Sequence, residues 1–152
     1  MAKTHLGTRS LPTNATRSSS STGCNPNRVW HWEGNVQAFI VEDLQREGWQ
    51  VRFVDTASKQ RGKDIEAIKD QRRLWVTVKG YPEGTGTTRP ATQARHWFSH
   101  AIFDVIQYRS EDPDVELAVG LPDFPTYRAL SNKVGWLEKA SPFTYLWVPQ
   151  PQ

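Results

Sequence analysis

Asp64-Ile-Glu66, a short polar turn, and then Trp75-Val-Thr-Val-Lys79-Gly80 decide the reading of this chain. Apolar and polar residues alternate on both sides of the turn, which is the period of a half-buried β-strand, so the stretch reads as a β-hairpin. Facing residues of an antiparallel pair lie on the same side of a sheet. A loop of Gln71-Arg72, or of Asp70 to Arg73, sets Asp64 opposite Lys79 and Glu66 opposite Thr77. Those four share one face. Ile65, Ala67, Val76 and Val78 take the other, which is apolar and suits a core. A three-residue loop would set the acids against valines. Gln-Arg is a weak hairpin dipeptide, so the alternation governs this register more than the turn does.

Around the hairpin, the chain reads α-β-β-β-α-β-α-β. Trp30 to Glu47 has helical periodicity through Val36, Phe39, Ile40 and Leu44, with Asp43 as the exception, and Gly48 closes it. Gln50 to Asp55 alternates as a strand, and Thr56 to Lys63 is a polar loop. Gly80 to Pro90 is a Gly- and Thr-rich loop. Ala91 to Arg109 places Ala94, Trp97, Phe98, Ala101, Ile102, Val105 and Tyr108 on one helical face. Val115 to Leu121 is a buried strand, Thr126 to Lys139 a helix with a break at Gly135, and Tyr145 to Val148 a final strand. The expectation is an α/β sandwich around a mixed sheet.

Composition narrows the classes. The 152 residues suit one domain with its own core. No apolar run has the length of a membrane span or of a secretory core, and a single cysteine, Cys24, excludes an internal disulfide framework. A cytoplasmic location is expected. The net charge is +3. Residues 1–27 contain Lys3, Arg9 and Arg17 and no acid, so residues 28–152 are balanced. A nucleic-acid site on the folded part must therefore be a local patch, not a global field. The first 27 residues, with Ser18 to Ser21 in a row, read as a disordered basic tail. Residues 28–152 form the domain.

Order and strand context together resemble the restriction-endonuclease-like, PD-(D/E)XK nuclease superfamily: an acid on the second strand, x-x-Lys on the third, and a helix following. The resemblance runs from about Trp30 to Val148. It implies an αβββαβ core, a central mixed sheet flanked by helices, with an added C-terminal helix and strand. In that family the first helix often adds an acid, here Glu33. One branch has a glutamine followed four residues later by an aromatic, here Gln93 and Trp97. A glycine shortly before the acid is also common, and Gly62 precedes Asp64 by two. Thr77 departs from the pattern, since the family usually has Glu, Asp or Gln there.

The resemblance implies a Mg²⁺- or Mn²⁺-dependent DNA endonuclease, acting in restriction, repair or defence. Phosphodiester hydrolysis needs a cation to neutralise the phosphate and acidify the attacking water. Mg²⁺ takes oxygen ligands and retains waters, so one or two carboxylates suffice. Asp64, Glu33, Glu66 and the Val78 carbonyl are the expected metal donors. Lys79 would orient the water or stabilise the transition state. Glu66, set opposite Thr77, would supply the acid missing at position 77, with Thr77 bonding a metal-bound water, so that Glu66→Ala abolishes cleavage. Gln37, Gln93, His96 and Arg89 are the expected nucleic-acid contacts. His96 and His100 have the spacing of a zinc pair but lack a further ligand, and read as polar groups beside the cleft or as partly buried structural histidines. The small size leaves targeting to weak specificity, a homodimer or a partner. A second expectation stays open on Thr77: a catalytically inactive relative that binds nucleic acid or a protein.

Overall fold

The structure is a computed structural model that describes residues 9–10, 23–54 and 63–152. Most of the basic tail, and the polar loop with Gly62, lie outside the described residues. The elements in chain order are β1 (Arg9–Ser10), α1 (Glu33–Arg46), β2 (Gln50–Val54), β3 (Ile65–Lys69), β4 (Arg72–Val78), α2 (Pro90–Glu111), β5 (Glu116–Pro122), α3 (Pro125–Lys133), α4 (Gly135–Ala140) and β6 (Thr144–Val148). The order expected from periodicity is present, including the break before Gly135. Two residues of the tail, Arg9 and Ser10, pair with β6 as a short edge strand.

The sheet is mixed, with strand order β1-β6-β5-β4-β3-β2. β2, β3 and β4 form an antiparallel meander, and β4, β5 and β6 are parallel. Parallel neighbours need crossover connections, and α2 and the α3–α4 pair supply them. Strand alternation sorts the core into two layers. Val36, Phe39, Ile40 and Leu44 of α1 pack with Ile65, Ala67, Val76, Val78, Ala118, Leu146 and Val148. On the opposite face, Ala94, Phe98, Ala101 and Val105 of α2 pack with Leu117, Val119, Leu121, Tyr145 and Trp147. α1 lies close to β5: a Cβ at Gly120 would sit 2.3 Å from Ile40 Cδ1.

The hairpin register differs from the expected one. Ile65 pairs with Val76, Glu66 with Trp75 and Lys69 with Arg72. The loop is Asp70-Gln71, with Asp70 at φ 54°. Aspartate tolerates the left-handed region better than most residues, because its short side chain can bond locally. The turn therefore forms one residue earlier than Gln71-Arg72, and every pairing moves by two. A shift of two preserves the faces, so Ile65, Ala67, Val76 and Val78 are all buried as expected. It changes which residues stand opposite each other: Glu66 faces Trp75, not Thr77.

Candidate active site

Asp64 lies just before β3. Extending the register outward sets it abreast of Thr77. Three hydrogen bonds hold it there: its N–H donates to the Val76 carbonyl at 3.1 Å, its Oδ2 accepts the Val78 N–H at 2.6 Å, and its carbonyl accepts Gln37 Nε2 at 3.0 Å. The Val78 amide thus draws the Asp64 carboxylate against the end of β4, one residue from Lys79. Gln37, expected to touch nucleic acid, is instead 6% exposed and braces the Asp64 backbone from α1.

Lys79 follows β4. Its N–H donates to the Gly120 carbonyl at 3.0 Å, and its Nζ lies 3.9 Å from Asp104 Oδ2. Asp104 was not anticipated from the sequence. It sits on α2 beside the apolar stripe, three residues after buried Ala101 and four before buried Tyr108. Thr77 Oγ1, fully buried, donates to Asp104 Oδ2 at 2.7 Å. Burial first, then the Asp104 and Asp64 charges, push the Tyr108 hydroxyl well above the ordinary tyrosine range. An acid flanking an apolar helical stripe was the signal available in the sequence.

Glu33 is the first residue of α1. Burial pushes its carboxyl above the usual range, and the Asp64 and Asp104 carboxylates add to the shift. Lys79 and the Gly80 N–H oppose it. Glu33 therefore feels the charges of Asp64, Asp104 and Lys79. Carboxylates gathered in a partly buried place raise one another's pKa values, and a hard cation with oxygen ligands relieves that. Among the described residues, no three His, Cys, Asp or Glu side chains converge closely enough to enclose a metal ion. The donors suit an ion held by one or two carboxylates with retained waters, not a closed cage.

The other expected residues differ in exposure. Glu66 is half-buried beside Trp75, with Thr77 diagonal to it on the same face. Residues diagonal across a pair are separated by roughly 7–8 Å against roughly 4.5–5.5 Å for facing ones, so Glu66 stands farther from position 77 than the expected register sets it. Gln93 is half-buried near the start of α2, and Arg89 is exposed at its N-cap. His96 and His100 are both exposed, so they are not partly buried structural histidines.

Comparison with family models, with curated proteins and with solved structures found no match to this chain. No helix among the described residues is long and apolar enough to cross a membrane.

Proposed function

We propose that this protein is a Mg²⁺- or Mn²⁺-dependent phosphodiesterase that cleaves DNA, built on a restriction-endonuclease-like core. One observation carries the reading: Asp104 reaches from α2 to Thr77 and Lys79 beside Asp64, so an acid meets the one position where the sequence lacks it. The antiparallel β2-β3-β4 meander leading by α2 into a parallel β5 supports the same reading.

Each residue has a part. Asp64 and Asp104 offer carboxylate oxygens at the end of β4, and Glu33 offers a third from α1. A bound Mg²⁺ or Mn²⁺ supplies phosphate neutralisation and acidifies a water. Lys79 presents its ammonium where negative charge grows on the phosphate in the transition state. Thr77 orients the Asp104 carboxylate, and Gln37 braces the Asp64 backbone. Glu66 is not in this set.

A second reading is a nuclease-like domain that binds nucleic acid or a protein without cleaving. The lack of three converging metal-binding side chains among the described residues favours it. Incubation with supercoiled plasmid and Mg²⁺ or Mn²⁺ separates the two. The nuclease reading expects nicked or linear product that vanishes with EDTA and in Lys79→Ala. Intact plasmid at every metal concentration would refute it.

A further inference from the structure

Glu33 and Lys79 are 46 residues apart in numbering, yet their charges interact across the site. The N-cap of α1, Trp32, gives no side-chain hydrogen bond to the first turn. An uncapped first turn leaves backbone N–H groups without partners and frays. Glu33 is the first residue of that turn, so something else must hold it.

The segment after Lys79 does so. Gly80 passes so near that a Cβ on it would lie 2.6 Å from both Glu33 N and His31 O. The Gly80 carbonyl accepts the Tyr127 hydroxyl at 2.6 Å. One residue on, the Tyr81 N–H donates to the His31 carbonyl at 2.9 Å. His31 Nδ1 returns a 3.0 Å hydrogen bond to the Tyr81 carbonyl. A carbonyl only accepts, so Nδ1 carries the proton. The imidazole is gripped edge-on by Trp30 and Phe124, with ring centroids 5.6 and 5.3 Å away. Tyr81 in turn stacks on Phe124 at 3.9 Å.

We propose that His31 is a positioning residue: its reciprocal hydrogen bonds with Tyr81 latch the start of α1 onto the segment that follows β4 and hold Glu33 beside Gly80, the residue after Lys79. Its importance for cation binding rests on the reading of Glu33 given above. The latch itself rests only on the contacts.

Asparagine at position 31 can set its Nδ2 donor where Nδ1 stands, whereas leucine has the same shape and no donor. The test compares His31→Asn, His31→Leu and the wild type in the full-length protein. Two measurements are made: amide hydrogen exchange at Gly80 and Tyr81, and Mn²⁺ affinity from the paramagnetic resonance of free Mn²⁺. Exchange at both amides is expected to be at least about tenfold faster in His31→Leu and near wild type in His31→Asn. Mn²⁺ affinity should fall about tenfold only in His31→Leu, the usual scale for losing a group that orients a ligand. Equal exchange in all three proteins overturns the latch. A wild type that shows the exchange pattern but binds no Mn²⁺ overturns the cation reading and leaves the latch standing. If His31→Leu does not fold, His31→Asn decides alone: exchange more than tenfold faster than wild type overturns the proposal.

Discussion

Thr77 Oγ1 donates a 2.7 Å hydrogen bond to Asp104 Oδ2, joining strand β4 to helix α2. The threonine is therefore a mount for a carboxylate that arrives from another element. Asp104→Ala should lower metal-dependent cleavage at least about 100-fold, the scale of losing a ligand or a charged group aimed at the reacting atoms. Thr77→Val, which keeps the shape and removes the donor, should cost less, about tenfold. The double variant Thr77→Glu with Asp104→Ala returns the acid to the strand and should recover part of the loss. A single-turnover assay on a labelled duplex reads all three. If Asp104→Ala cleaves like the wild type, the assignment of Asp104 is wrong.

Glu66 gives the opposite expectation. It stands across from Trp75, diagonal to the acid-bearing position. Glu66→Ala should keep the rate within about threefold of wild type, as expected of a half-exposed residue that makes no catalytic contact. The alternation argument from sequence predicts complete loss. The same assay, run beside Asp64→Ala, decides between them.

Gln37 links stability to the site. Gln37→Leu fills the same space but leaves the Asp64 carbonyl without its 3.0 Å donor. A buried acceptor without a partner costs about 1–3 kcal/mol, to be read by urea denaturation without metal. Cleavage should drop as well, because the Asp64 backbone loses its restraint from α1. Undiminished stability would show that this bond does not brace Asp64.

Glu33 sets a pH dependence whose sign is definite. Its folded-state value is raised, chiefly by burial, so the ionised form is disfavoured by folding. Its contribution is destabilising above the folded-state value. The penalty is relieved as pH falls through that value toward the unfolded one of 4.5. In metal-free buffer, Glu33→Gln should therefore raise the melting temperature at pH 7.5, and the gain should disappear near pH 4.5. Asp112 and Asp123 act the other way. The Asp114 N–H and Arg73 lower the first, and Arg128 lowers the second. Their stabilisation is present above 3.8 and is lost as pH falls through their folded-state values. Thermal melts of both proteins across this range, with EDTA, would expose the crossing. A lower melting temperature for Glu33→Gln at pH 7.5 would contradict it.

Much of this molecule was legible in local pattern. The period-2 alternation of Ile65, Ala67, Val76 and Val78 assigned their face correctly, since a strand's alternate side chains point the same way whatever it pairs with. Periodicity also located the helices and the break before Gly135, whereas Glu33 was pointed to by the family resemblance. The register was not legible, because any even shift keeps the faces. Asp70 in the left-handed region fixed it, and that moved Glu66 away from Thr77.

Tertiary packing decided the rest. Asp104 reaches Thr77 only because α2 crosses from β4 to β5 and lays its Ala101–Tyr108 stripe on the sheet, bringing together residues 27 apart in sequence. The Glu33 backbone approaches Gly80, beside Lys79, because Gly80 lacks a side chain and His31 and Tyr81 bond reciprocally across the gap. The sequence by itself determined which faces are apolar, because side-chain direction follows from local backbone geometry. The company that each charged residue keeps depends on which elements touch, and the burial of the two apolar layers decided that.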